Sequence, residues 1–492
     1  MQRTVMPVTN VLRATARGTS ESKDRSMLLL RCPYPYGVSS TSINQKSYVA
    51  QTWMPIDLEM VASKLNAVGI AVDVVDLNIE SLPDDIGKYT KIGIGVIGPP
   101  YIPISRRLSK HVFDITGKPS LIGGPGIEYL SNHEFSAIYG ESGMQIKNDL
   151  DLGAAFSLPV QIPNTYYTPI SQRIRLMNAQ KLETYLKSEF SFMLSQGCKY
   201  ACSFCEAVRT RDGNVVRETF SNTIVEDLST ICEMANGFGI KQLNIYTTSL
   251  DFFQTPKKIK EVLKDITDVR RKYNMDFRLR GLSRIDSFLT AIEKEPELRD
   301  LINSSGLRIM GFGVDGSTEA EWKSQGKGNR SLHDAELALK ICNEIGITPE
   351  ALMVLGFHNK NKVRVGNRHT LQQDAEFSIR VAELYGAVAR PHLAKDITPG
   401  GSSWRNPLWE KERNALLNDP ELFINLDYVT LGSELTHPDK QFREEANEAY
   451  MHIINVLTPR GLCTTRPLLP HTGDKYGDLL ADTYNMFVPL DR

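Results

Sequence analysis

The sequence has no apolar run approaching the roughly 20 residues that span a bilayer, and no hydrophobic secretory segment near its start. Neither a membrane span nor a secreted protein is expected. It has no excess of either charge, with 57 Lys and Arg against 58 Asp and Glu. Nothing electrostatic therefore calls for a nucleic-acid partner. Cysteine is scarce, seven in 492 residues, and an odd number spread over a long chain does not make a disulfide framework. No short sequence repeat is present. These absences leave a globular protein of a reducing, cytoplasmic compartment, long enough for two or three domains.

Residues 1–26 hold Arg3, Arg13 and Arg17 and no acid before Glu21. That composition fits an organelle transit peptide or a disordered N-terminus, and a disordered tail is the expectation. From residue 27 strands and helices alternate. Strands are expected at 27–31, 70–77, 91–98, 119–124 and 137–140. Helices are expected at 56–68, where Leu58, Val61, Ala62, Leu65 and Val68 share a face, and at 102–116. Such alternation implies a doubly wound parallel sheet, so 27–150 reads as a Rossmann-like domain. Pro159, Pro163 and Pro169 punctuate 151–188, which reads as a linker. A second series follows over 189–400. Its strands are expected at 190–194, 241–246, 276–280, 307–314, 351–356 and 386–392, with helices at 222–236, 256–273, 331–345 and 370–385. Six β/α units make a partial barrel. Residues 401–492 read as a mostly helical cap. The fold class is thus α/β: a Rossmann-like domain, a partial (β/α)6 barrel and a cap.

Three of the seven cysteines fall within eight residues, Cys198, Cys202 and Cys205. Thiolates at spacings of four and three can wrap one face of a cubane cluster. A structural zinc site wants four ligands, often as two pairs; zinc completed by a distant residue, or three unrelated cysteines, are the other readings. Three ligands for four irons leave one iron open to a substrate. The triplet follows the first strand of the second series, where parallel β/α folds bind ligands.

This CxxxCxxC triplet, with Phe204 before the last cysteine, resembles the radical S-adenosylmethionine superfamily, and the resemblance covers most of 27–400. It implies a [4Fe–4S] cluster on Cys198, Cys202 and Cys205 whose open iron chelates S-adenosylmethionine. It also implies a flavodoxin- or ferredoxin-like electron donor and reductive cleavage to a 5′-deoxyadenosyl radical. Further candidates for the S-adenosylmethionine site follow from the same template. Tyr246, Thr247, Thr248 and Ser249 end the second barrel strand, facing the methionine amino group. Arg284 follows the third and suits the methionine carboxylate. Asp315 stands where relatives usually carry Glu, and Leu355 and Gly356 would pack the adenine. Each could equally cap a helix.

Residues 27–150 resemble the cobalamin-binding domain that precedes many of these enzymes. The landmarks are the Pro-rich loop with Tyr34, Asp76, Gly98, Pro99, Tyr101, Gly123, Gly124, Gly126 and Glu141. Glycines at strand ends let backbone approach a large ligand. The DxHxxG signature that supplies a cobalt-ligating His is absent, and His111 and His133 do not replace it. The domain either holds cobalamin or shapes the substrate site. Gly93–Gly98 fits GxGxxG literally, but its β-branched apolar interior reads as a buried strand rather than a dinucleotide loop.

Trp53, Trp404 and Trp409 either wall a substrate cavity or pack as ordinary aromatics. His358, His392 and Lys395 lie past barrel strands, as substrate contacts or surface turns. Cys32, Cys232, Cys342 and Cys463 read as packing residues, Cys463 alternatively as a reactive thiol. The main functional expectation is a cobalamin-dependent C-methyltransferase acting on a small molecule of a biosynthetic pathway. A cobalamin-free dehydratase, epimerase or rearrangement enzyme is the second reading. A tRNA- or protein-modifying factor resembling methylthiotransferases is the third, although the chain has neither a second cysteine triplet nor a basic C-terminal segment.

Overall fold

The structure is a computed structural model. It describes residues 25–33, 54–158, 162, 167–174, 177–200, 202, 217–218, 221–324, 331–359, 361–401, 403–465 and 467–471. Tyr34, Trp53, Phe204 and Cys205 lie outside the described residues. Among the described residues no helix is long and apolar enough to cross a membrane.

Two all-parallel sheets organise the chain. The first has β1 (Ser26–Arg31), β2 (Ala71–Asp76), β3 (Lys91–Gly95), β4 (Ser120–Gly123) and β5 (Gly143–Ile146), in the order β2-β1-β3-β4-β5. That order puts the switch point of the doubly wound sheet between β1 and β3. Met27 to Leu30 are all buried, as a strand covered on both faces requires. Gly93 lies inside β3, where a Cβ would come within 2.4 Å of Met27 Cε. The first half of the literal GxGxxG, through Gly95, is therefore strand as its composition implies, whereas residues 96–98, also read as strand, follow it as a loop.

The fifth strand corrects the sequence reading. Residues 137–140 end a helix, Asn132–Tyr139, and the strand follows at Gly143. A capping box decides this: Ser131 Oγ accepts from the Glu134 amide at 3.2 Å, and Glu134 Oε2 accepts from the Ser131 amide at 2.7 Å. Two otherwise orphaned helix donors are satisfied.

The second sheet runs in sequence order: β6 (Phe190–Phe192), β7 (Gln242–Thr247), β8 (Asp276–Ser283), β9 (Leu307–Gly313), β10 (Thr348–Leu355) and β11 (Val388–Leu393). Helices Ser221–Gly237, Pro256–Tyr273, Leu332–Glu344 and Arg368–Tyr385 cover its outside. The β8–β9 crossover carries two helices, Ile285–Lys294 and Leu298–Ser305.

The segment read as a linker is a clamp. It carries helices Asp149–Ala155, Ile170–Arg173 and Ala179–Lys187. Toward the first sheet, the Tyr185 hydroxyl donates to Asp76 at 2.7 Å, Lys181 Nζ donates to the Val74 carbonyl at 2.6 Å, and Arg173 pairs with buried Glu59 at 3.3 Å. Toward the second, Asp227 accepts from the Tyr167 hydroxyl and the Ile170 amide.

The residues after 400 divide between the two sheets. Trp404, Trp409, Leu416, Phe423 and Leu426 complete a core with Ile102, Leu108 and Ile138 of the first. Helix Lys440–Leu457 instead buries Phe442, Ala446, Tyr450 and Leu457 in the core of the second.

The segment that follows β11 packs on the segment that follows β4. The turn after β11 carries Gly400 at φ +84°, and a Cβ there would lie 2.5 Å from the Tyr129 ring in the loop after β4. Arg405 reinforces the contact, donating to the Tyr129 carbonyl at 2.6 Å and to Glu134 at 2.7 Å. Gly386 also has positive φ, +62°, but open space around it. Gly400→Ala is therefore expected to lower stability by more than Gly386→Ala, which should cost about 1–3 kcal/mol through backbone strain alone. Urea unfolding of both variants checks this; equal losses would remove the Tyr129 contact from the account.

Candidate active site

The cysteine loop leaves β6 and passes through a short antiparallel pair, Ser195–Gln196 with Arg217–Glu218. Gly197, at φ +83°, makes the turn. Cys198 is buried and Cys202 half-buried, and neither is in a disulfide. Three neighbours pin the loop. Lys199 Nζ donates to the Gln254 carbonyl at 2.8 Å, the Tyr200 hydroxyl meets Ser287 Oγ at 3.2 Å, and Arg284 Nη1 donates to Cys202 Sγ at 3.1 Å. The Arg284 guanidinium also lies over the Tyr200 ring, 3.8 Å from its centroid.

Sequence reading missed the residue that holds this arrangement. Asp251, buried just past β7, accepts from Ser283 Oγ at 2.7 Å, the Arg284 amide at 3.1 Å and Ser287 Oγ at 2.6 Å. A carboxylate at a strand end was the available signal. The donor set suits an anionic, thiolate-bound cluster: two cysteines share one loop and a fixed cation touches one sulfur. Among the described residues no three His, Cys, Asp or Glu side chains converge as metal ligands.

The other expected residues divide by the strand alternation. Ala351, Met353 and Leu355 join the core under the helices, so Glu350, Leu352 and Val354 face the barrel interior. By the same alternation Tyr246 and Thr248 face inward. Thr248 Oγ1 is buried with no hydrogen-bond partner in the structure, a state usually explained by a missing ligand or water. Thr247 is turned away, its hydroxyl donating to the Arg280 carbonyl at 3.0 Å, and Ser249 is buried beside Leu194 and Phe252. Leu355 is core. Gly356 has φ +76° and sits against His437 Nε2 and Ala446, leaving no room for a Cβ.

Asp315 is buried at the end of β9 in the left-handed region, φ +51°. A non-glycine residue there stores strain that its surroundings must hold. Its amide donates to the Leu352 carbonyl at 3.0 Å. The next turn is held by two buried carboxyls: the Ser317 amide donates to Asp374 at 2.7 Å and to Glu321 at 3.1 Å. Burial and the Glu321 charge push the Asp374 carboxyl up to about 8.

The barrel interior also holds charges that the sequence reading left unassigned. Arg280 pairs with Glu189 at 2.9 and 3.1 Å and lies over the Tyr246 ring, and Arg390 pairs with Glu350 at 3.1 Å. Charged residues inside otherwise apolar strands were the signal. Lys395, buried past β11, donates to the Thr430 carbonyl at 2.7 Å, and burial pushes its amine down to about 7. His392 stacks on Tyr428, and His358 pairs with Asp396 at 3.2 Å. Trp404 and Trp409 are core, as are Cys32, Cys232, Cys342 and Cys463. Burial raises the Cys463 thiol, against a reactive role.

In the first sheet, Gly98, Pro99 and Tyr101 follow β3 at the switch point. The glycines there answer to each other. A Cβ on Gly124 would lie 2.5 Å from the Val96 carbonyl oxygen, and one on Gly126 would lie 2.8 Å from the Gly98 backbone. Gly123 is less crowded, 3.4 Å from the Ile146 carbonyl oxygen. Glu141 is exposed. Asp76 is buried and accepts from Arg31 at 3.0 Å.

Because the fold holds the Asp374 proton more tightly than the unfolded chain, stability is fullest below the ordinary carboxylate range. It declines as pH rises toward Asp374 ionisation. Asp374→Asn keeps a neutral group there and is expected to flatten this decline, by at most about 1.4 kcal/mol per pH unit. Urea midpoints measured from pH 5 to 9 test it; parallel profiles for the two proteins would be the contrary result.

No protein-family model matches the chain. The bacteriochlorophyllide d C-12(1)-methyltransferase of Chlorobaculum tepidum is 22% identical over 362 residues, covering 70% of this chain and 72% of that one. Among solved structures, the radical S-adenosylmethionine methyltransferase TsrM from Kitasatospora setae, with tryptophan and a S-adenosylmethionine analogue bound, superposes with TM-score 0.55. It is 18% identical, over 77% of this chain and 75% of that one. The cobalamin-dependent enzyme OxsB, with aqua-cobalamin and S-adenosylmethionine bound, gives 0.55 at 16% identity, over 86% of this chain and 62% of OxsB. The chain has the fold of the cobalamin-dependent radical S-adenosylmethionine enzymes.

Proposed function

We propose that the chain is a cobalamin-dependent radical S-adenosylmethionine methyltransferase acting on a small molecule. One observation carries the reading: the turn after β11, in the sheet whose first strand leads into the cysteine loop, packs on the loop after β4 of a switch-point sheet, Gly400 on Tyr129. Two ligands held at the two edges would face each other, as methyl donor and radical source must.

Cys198, Cys202 and Cys205 would hold a [4Fe–4S] cluster, which supplies the electron that cleaves S-adenosylmethionine to methionine and a 5′-deoxyadenosyl radical. Cobalamin at the loops after β1, β3 and β4 would supply the methyl carrier. The chain's own residues do the rest. Thr248 Oγ1 offers an unused polar atom to the S-adenosylmethionine amino group. The Asp315 turn, locked by Glu321 and Asp374, borders the same mouth. A flavodoxin or ferredoxin in the cytoplasm would serve as reductant.

A second reading drops cobalamin and keeps the radical chemistry in a dehydration, epimerisation or rearrangement. What favours it is the switch-point glycines Gly124 and Gly126, whose close contacts are already taken by the chain's own backbone. Product analysis after anaerobic reconstitution decides between the two. Methyl transfer predicts 5′-deoxyadenosine together with S-adenosylhomocysteine, the latter only when cobalamin is supplied. Serine at Cys198, Cys202 and Cys205 together should abolish the cluster absorbance and both products; 5′-deoxyadenosine persisting in that variant would overturn either reading.

A further inference from the structure

We propose that Arg284 is a redox-tuning residue, whose guanidinium on the Cys202 sulfur raises the potential at which a bound cluster takes up its electron. The inference rests on the reading that the cysteine loop holds an iron–sulfur cluster. It differs from the expectation that Arg284 grips the methionine carboxylate.

The geometry argues for the sulfur. A guanidinium offers a carboxylate a planar two-donor edge. In Arg284 one such edge is already filled: Nε and Nη2 each donate to Asp286, both at 3.0 Å. The remaining Nη1 is directed at Cys202 Sγ at 3.1 Å. One face of the plane rests on Tyr200, which belongs to the cysteine loop itself. Asp286 is fixed in turn by the Ser287 amide at 2.8 Å, and Asp251 holds both the Arg284 amide and Ser287 Oγ. The cation and the sulfur it touches are thus mounted on one hydrogen-bonded frame, with the Arg284 side chain 13% exposed.

The direction of the effect follows from charge. Reduction adds one negative charge to a cluster that thiolates already make anionic. A fixed positive charge, donating a hydrogen bond to a ligating sulfur, stabilises the reduced form more than the oxidised one. Asp286 works against this from 3.0 Å behind the guanidinium, so the pair sets a partly cancelled field.

The test is an EPR-monitored redox titration of the cluster-loaded full chain, with iron and sulfide contents matched, and S-adenosylmethionine affinity measured in parallel. Arg284→Gln is expected to shift the midpoint to more negative potential. Arg284→Lys, which keeps the charge but not the fork, should shift it less, and it remains measurable if the glutamine variant loads poorly. Asp286→Asn should shift the midpoint the other way. An unchanged midpoint in Arg284→Gln and Arg284→Lys, with S-adenosylmethionine affinity lost instead, overturns the proposal and returns Arg284 to the methionine carboxylate. A wild-type chain that takes up no iron at all overturns the functional reading, and this proposal with it.

Discussion

The six-stranded parallel sheet does not close on itself, and the rest of this structure follows from that incompleteness. The strands of the second sheet run in simple sequence order, leaving β6 and β11 as edges and a mouth at the carboxyl end. Eight strands would bring such a barrel nearer to a packed interior; with six, the missing wall comes from elsewhere in the chain. The turn at Gly400 seats on Tyr129, and residues 167–187 strap both sheets together through Asp76, Glu59 and Asp227. The interior carries opposed charges, Arg280 with Glu189 and Arg390 with Glu350. Such pairs are costly to desolvate and seldom add net stability. They do make the interior polar.

The upper rim shows the same economy of fixed groups. Asp315 sits in an unfavourable backbone region, and the turn after it is restrained by two carboxyls that compete for one amide. Thr248 presents a hydroxyl with nothing in the structure to bind it. Arg284 stands between the sulfur of Cys202 and the carboxylate of Asp286. The strain, the unpaired polar atom and the oriented cation thus all sit just past the carboxyl ends of barrel strands, the end at which the cysteine loop also leaves β6. Functional sites concentrate such features because packing elsewhere can hold them.

Much of this was legible in the sequence, and for a definable reason. Strand and helix positions came from apolar periodicity, which is local: 102–116 and 256–273 match the helices found. The triplet stood out because its spacing is also local. What periodicity cannot see is partnership across the chain. Residues 137–140 look like a strand until Ser131 and Glu134 cap the helix that contains them. Residues 151–188 look like a linker because the proline punctuation is visible, while Tyr185 reaching Asp76 is not. The 401–492 stretch reads as one cap, yet Trp409 and Phe442 belong to different cores. Arg284 was singled out by its place after the third barrel strand, but its contact with Cys202, 82 positions away, was not visible. The alternation that turns Tyr246 and Thr248 inward and Leu355 outward also needed the register of neighbouring strands.

The division of the residues after 400 bears on how the molecule is made. The first sheet is translated early, but its hydrophobic core includes Trp404, Trp409, Leu416, Phe423 and Leu426. On the ribosome, that sheet has exposed apolar helices until nearly the last fifth of the chain emerges. Domains that fold co-translationally usually complete themselves before the next begins. Here both cores close late: the first waits for residues 404–426 and the second for residues 442–457, a long interval in which a chaperone would have something to hold.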